Sequence, residues 1–120
     1  MTIHFYLGGF FMAVKEKFDT LTERMNANPA HLGTMSVLYK FELSGDEAGT
    51  YQLHIKDQAA RYTLGDTEDE DITLIMKDKD FLKLSEGNLN PTMAYMSGKL
   101  KVRGDLGKAM KLQTLLSEYA

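Results

Sequence analysis

The sequence predicts an α+β domain, a five-stranded and mainly antiparallel sheet covered on one face by helices. Three observations predict it. An apolar stripe of helical period opens the patterned part of the chain. The period then switches to two over three consecutive segments. Two further short strand-like segments are interleaved with helical ones.

Val14, Phe18, Leu21 and Met25 recur at spacings of four, three and four, one face of a helix that Asn26, Asn28 and Pro29 bring to an end. Met35, Val37, Tyr39, Phe41 and Leu43 alternate with Ser36, Lys40 and Glu42 as a half-buried strand, Leu38 being the exception. Ser44 to Gly49 is a polar, glycine-containing turn. Tyr51, Leu53 and Ile55 then alternate with Gln52, His54 and Lys56. A tight turn at Asp57-Gln58 leads to a third strand, with Ala60, Tyr62 and Leu64 on its apolar side. Strands joined so closely form an antiparallel meander. After an acidic break from Gly65 to Asp71, Ile72 to Met76 is a short apolar strand. Asp78 is placed to cap a helix carrying Phe81, Leu82 and Leu84 that ends near Gly87. Pro91 suits the first turn of a short helix to Met96. Leu100 and Val102 alternate with Lys99, Lys101 and Arg103 in a last strand, and Asp105 caps a final helix from Leu106 to about Tyr119.

Composition bounds the function. With 120 residues, 43% of them hydrophobic, the chain is the size of one domain and can bury a core without staples. A net charge of −3 argues against a general nucleic-acid binder. There is no cysteine, hence no disulfide, thiolate metal site or thiol nucleophile, which fits a reducing cytoplasm. The domain is expected over residues 12–120. Residues 1–11 are apolar and aromatic, far short of the roughly 20 residues that span a bilayer, and lack the features of a secretory signal. They are expected to be a non-native or upstream-initiated extension, or else an apolar arm, whose removal costs little stability.

No catalytic or metal motif appears. His54 falls on the polar side of its strand, no histidine pair has helical metal-ligand spacing, and no serine sits in a nucleophile elbow. An EF-hand loop begun at Asp66 would need Gly and Glu where Asp71 and Lys77 stand, so the acidic run is a solvated loop with no metal expected. What does stand out is a late apolar excess. The chain holds eight methionines, and methionine suits interiors that accommodate variable shapes. On composition alone an ordinary methionine-rich core is favoured over a ligand cavity.

The segment Leu84-Ser85-Glu86-Gly87-Asn88-Leu89-Asn90-Pro91, the run Ala94-Tyr95-Met96-Ser97-Gly98-Lys99-Leu100-Lys101-Val102 and the turn Arg103-Gly104-Asp105 together resemble the sterol carrier protein type 2 family. So does Asp71-Ile72-Thr73-Leu74 leading into Asp80-Phe81. The resemblance covers about Phe18 to Ser117. It implies a five-stranded sheet with helices on one side, a hydrophobic tunnel between the layers, and lipid binding that needs no cofactor and no reaction chemistry. In such proteins the C-terminal helix, here Met110 to Tyr119, partly closes the tunnel. The turn usually built on Asp-Gly is Asp57-Gln58 here, and the terminal Ser117-Glu118-Tyr119-Ala120 is not a peroxisomal signal. The domain therefore looks prokaryotic, with an acyl or isoprenoid-like chain expected before a sterol.

The expected cavity wall is Phe81, Leu82, Met93, Met96, Leu100, Met110, Leu112, Leu115 and Leu116, some of them serving only as core. Lys99, Lys101 and Arg103, followed by Lys108 and Lys111, are candidates for transient membrane docking, although alternating lysines equally suit a solvent-facing strand. The expected partner is a lipid, with no nucleic acid. The alternative is an accessory module that presents a lipid to a partner enzyme, for example in quinone biosynthesis.

Overall fold

The computed structural model describes residues 13–66 and 70–120, so the N-terminal extension expected at residues 1–11 lies outside the described residues. Helix α1 (Ala13–Ala27) buries Val14, Phe18, Leu21 and Met25, the stripe read from their spacing. It stops where expected, and a 3-10 turn over Pro29–Leu32 turns Leu32 into the core. Strands β1 (Val37–Ser44), β2 (Gly49–Lys56) and β3 (Ala59–Leu64) form the meander. Then follow β4 (Ile72–Lys77), α2 (Asp78–Ser85), α3 (Pro91–Met96), β5 (Lys101–Gly104) and α4 (Leu106–Tyr119).

The sheet order is β3-β2-β1-β4-β5. It is mixed: β4 lies parallel to β1, and the other three pairings are antiparallel. This register has a mechanical consequence. Leu64, at the end of β3, stands level with Phe41, and Ile72, at the start of β4, level with Tyr39 on the other side of β1, so the chain passes from one side of β1 to the other between Gly65 and Asp71. Asp66 and Glu70, described residues at the two ends of this connection, reach over the sheet face opposite the helices, where both meet Lys40.

On the helix-covered face the rows align in register. Tyr39 stands between Leu53 and Ile72, Phe41 between Tyr51 and Leu74, and Leu43 beside Met76. The helices supply Phe18, whose ring is 4.8 Å from both Tyr51 and Phe81 and 5.4 Å from Phe41. Such a cluster of stacked and edge-on rings adds stability beyond the area it buries.

The opposite face departs from the expected half-buried strand. Lys40, Gln52 and Thr73 sit side by side across β1, β2 and β4 and are all buried. The crossing loop explains it. Asp66 and Glu70 each bring a carboxylate oxygen to 3.1 Å from the Lys40 ammonium, and Glu42 lies 3.4 Å away. The hydrogen bonds its ammonium donates to Glu70 and Asp66 hold the Lys40 pKa well above the ordinary lysine value. A backbone hydrogen bond at Glu70 itself, followed by the Lys40 ammonium, holds its carboxyl below the usual carboxylate range. The acidic run is thus in part the counter-charge of a buried lysine rather than a merely solvated loop.

Asp78 also has a different task from the one expected. The N-cap of α2 is Lys77, and Asp78 is the first helical residue. Its carboxylate accepts the backbone N–H of Glu47 at 2.8 Å and of Lys79 at 2.7 Å, tying the β1–β2 turn to the start of α2. Gly45, at φ +112°, is required there, because any Cβ would collide with that carboxylate. At the sheet edge the Asn26 carboxamide bonds Ala60 twice, donating to its carbonyl and accepting from its N–H, both at 2.8 Å.

Candidate functional site

The packed apolar interior between the helices and the sheet is where most of the expected wall residues lie. Phe81 of α2, Leu100 ahead of β5, and Leu112, Leu115 and Leu116 of α4 are all buried in one cluster with the sheet. Met110 is partly buried against this cluster, as are Leu89 and Val102. Leu82 is also partly buried, and it borders a small apolar-lined hollow of about 160 Å³ beside Ala13 and the β1–β2 turn.

Met93 and Met96 are placed differently. They are 68% and 80% exposed, on the outer side of α3. The reason is the geometry of a six-residue helix begun by Pro91 and capped by Asn90, whose side chain accepts the Met93 N–H. Ala94 is its buried residue, so Met93, Tyr95 and Met96 must face away. The Ala94 carbonyl accepts the Leu100 N–H at 3.0 Å, which sets Leu100 inward. In sequence, the late apolar residues were counted without regard to the angle at which each leaves its helix.

Helix α4 is held at both ends. Its N-cap Asp105 accepts the N–H groups of Gly107 and Lys108. The Tyr39 hydroxyl donates to the Lys108 carbonyl at 3.1 Å, and burial pushes the Tyr39 pKa up to about 12. At the far end, the Tyr119 hydroxyl donates to the Asn28 carbonyl, and Arg24 donates to the Tyr119 carbonyl at 3.0 Å. Helix α3 has slighter attachments, namely Ala94 and a long Thr92 to Met110 sulfur contact of 3.7 Å.

The expected docking cations separate. Arg103 donates to Glu42 at 2.9 Å on the sheet face opposite the helices, while Lys108 and Lys111 are exposed on α4. Lys99 and Lys101 instead share a groove of about 540 Å³ with Lys77, Lys79 and Lys83. Those three lysines were missed in the sequence because only the β4–β5 pairing brings the two groups together.

No reactive constellation emerges among the described residues. The Ser97 and Ser85 hydroxyls donate to carbonyls within their own helices, Ala94 at 3.2 Å and Leu82 at 2.7 Å. His54 pairs with Thr63 across the β2–β3 ladder at 3.0 Å. Among the described residues, too, no helix is long and apolar enough to cross a membrane.

Comparison with known proteins agrees with this geometry. The sequence profile of the SCP-2 sterol transfer family matches residues 18–117. Hydroxysteroid dehydrogenase-like protein 2 of Homo sapiens is 36% identical over 107 residues, covering 88% of this chain and 25% of the relative. The Danio rerio protein of the same name is 38% identical over 105 residues, 87% of this chain and 25% of the relative. The chain therefore spans about a quarter of the length of these curated relatives. Among solved structures, the sterol carrier protein domain 2 of Helicoverpa armigera superposes with a TM-score of 0.70 at 27% identity, covering 88% of this chain and 86% of that one. The palmitate complex of sterol carrier protein-2 from Aedes aegypti gives 0.71 at 18% identity, covering 89% and 96%. A ubiquinone synthesis protein, UbiJ-SCP2, gives 0.73 at 18% identity, covering 91% and 96%. With the family profile matched over residues 18–117 and the fold shared with a sterol carrier protein domain at a TM-score of 0.70, the chain belongs to the SCP-2 sterol transfer family.

Proposed function

We propose that this domain binds a lipid chain without catalysing a reaction, holding it between α4, α2 and the β4–β5 side of the sheet. The observation that carries the reading is the contrast between the two helices over this space. Helix α4 is pinned at both ends, whereas α3 closes the margin with one small inward residue, Ala94. The wall residues pack against one another, so a lipid enters by parting them. Methionine and leucine side chains adapt to such a change at modest cost. Helix α3 is the element that moves, and Met110, partly buried beneath Thr92, is the side chain displaced first. An acyl chain is the favoured occupant, by likeness to the Aedes aegypti complex.

Met110→Trp enlarges the side chain in that margin. Binding of cis-parinaric acid, followed by its fluorescence, is expected to weaken about tenfold, since overpacking of this kind costs about 1–3 kcal/mol. The far-UV circular dichroism is expected to stay unchanged. A parent protein that does not bind the probe would refute the carrier reading, and undiminished affinity in Met110→Trp would place the lipid elsewhere.

A second reading is favoured by two observations. The domain amounts to about a quarter of its curated relatives, and one structural neighbour is a ubiquinone synthesis protein. In this reading the domain presents its lipid to a partner enzyme. A stable enzyme complex recovered by gentle purification would support it over free transfer.

A further inference from the structure

At one end of the sheet β4 outruns β5. The last pair of their ladder is Ile75 with Lys101, because the chain ahead of β5 turns away and the Leu100 N–H bonds the Ala94 carbonyl instead. Met76 and Lys77 therefore have no partner on β5, and a groove opens between this end of β4, helix α2 and the turn at residues 97–99. Five of the fourteen basic residues line it, namely Lys77, Lys79, Lys83, Lys99 and Lys101, against the single carboxylate of Asp80. All five lysines are exposed, and among the described residues none of them forms an ion pair. Like charges held together in a concave site focus a positive potential there. Helix α3 runs into the rim of this groove: Ser97 lines it and directly follows Met96, which stands exposed with Met93 and Tyr95.

We propose that this end of the molecule docks an acidic amphipathic helix of a partner protein, its carboxylates against the groove lysines and its apolar side chains against Met93 and Met96. The proposal rests on the reading in which the domain presents its lipid to a partner enzyme, and it names the surface and the chemistry of that contact. Charge complementarity selects the occupant. Five ammonium groups without counter-ions call for a ligand with several negative charges in a row, and a helix with glutamates at spacings of three and four supplies one along its flank. The adjoining apolar face of such a helix is what a groove-binding helix buries. Methionine suits that contact, because its unbranched thioether moulds to apolar side chains of different shape. Lysine suits the flank, since a single charge on a long stem follows a carboxylate without demanding one fixed geometry. A nucleic acid fits less well, because a molecule of net charge −3 repels a long polyanion outside the groove. The docked helix lies against α3, the element proposed to move, so the lipid is released towards the enzyme that uses it.

The probe is a fluorescein-labelled peptide of glutamate, leucine and alanine patterned as an amphipathic helix, with a counterpart carrying lysine in place of every glutamate. Binding to the full chain is read by fluorescence anisotropy at low and high salt. The parent is expected to bind the acidic peptide, to ignore the basic one, and to release its ligand as salt shortens the screening length. Lys79→Glu/Lys83→Glu is expected to weaken binding about tenfold or more while keeping the parent's circular dichroism and its affinity for cis-parinaric acid. Met93→Ser/Met96→Ser is expected to weaken it as well, through the lost apolar contact. A parent that leaves the acidic peptide unbound overturns the proposal, and an enzyme complex still recovered by gentle purification then keeps the partner reading with its contact elsewhere. Peptide binding without any such complex upholds the site and removes only the enzyme as its owner. Undiminished affinity in the charge-reversed protein overturns the proposal. So does equal affinity for an oligonucleotide of the same charge, which marks a general polyanion groove, or binding of phosphatidylglycerol vesicles with none of the peptide. Self-association of the parent that is lost in Met93→Ser/Met96→Ser overturns it too, by assigning the patch to a second copy of this chain.

Discussion

Single residues in this domain are recruited against their usual preferences. Asp57 and Gln58 both adopt left-handed backbone, at φ +54° and +59°, to close the β2–β3 hairpin. Two-residue hairpin turns of this kind favour Gly at the second position, because a Cβ there is crowded. Gln58→Gly is therefore expected to stabilise the protein by about 0.5–1 kcal/mol, a rise of about 2–5 °C in melting temperature. A fall would show that the Gln58 side chain makes a contact worth more than the backbone relief. Lys40 is the opposite case, a residue whose alternation with apolar neighbours places it towards solvent. It is buried because three carboxylates come to it. No property of Lys40 or its neighbours in sequence announces this.

At the scale of elements, helix and strand identities were legible because each period is local. Val14, Phe18, Leu21 and Met25 place α1, and Tyr51, Leu53 and Ile55 place β2, with no knowledge of what lies opposite. The parallel placement of β4 on β1 was not legible, since no local pattern encodes which side of β1 a later strand takes. Everything that depends on it was hidden too: the route of the crossing loop, the burial of Lys40, and the union of Lys77, Lys79 and Lys83 with Lys99 and Lys101. Within the candidate site, Phe81, Leu100, Leu112, Leu115 and Leu116, expected as cavity wall or core, are buried. Met93 and Met96 face out because a helix as short as α3 has room for one inward residue. The unequal anchoring of α3 and α4 has a measurable consequence. Backbone amides of α3 are expected to exchange hydrogen about tenfold or more faster than those of Leu112 to Leu116, since local opening follows the number of buried contacts. Addition of palmitate is expected to slow α3 most. Equal rates before and after would remove α3 as the door.

For the whole molecule, the charge cluster around Lys40 links β1 to the loop joining β3 and β4, and so couples fold stability to acid. Glu70 titrates below its ordinary range in the folded chain. Its contribution is therefore present above the unfolded carboxylate value of about 4.3 and is lost as pH falls through the lower folded value. Asp19, lowered chiefly by the Tyr62 hydroxyl and then by Lys15, acts in the same window and the same direction. The pKa of Lys40 is raised, so its contribution is lost only in strong alkali and does not enter this window. Thermal melts between pH 7 and pH 3 are expected to show a steeper acid fall for the parent than for Glu70→Gln. Coincident profiles would mean that the Glu70 contact does not persist in solution.

The pairing of Asn26 with Ala60 bears on solubility. A β-sheet with two free margins invites strand addition by a neighbouring chain, the first step towards a fibril. On the β3 margin the outward N–H and carbonyl of Ala60 are already occupied by a side chain of α1, so an incoming strand must evict Asn26 before it can pair there. The other margin, β5, is four residues long and carries Lys101 and Arg103. The opening of the apolar interior proposed for lipid uptake would thus take place in a sheet guarded at both margins against polymerising.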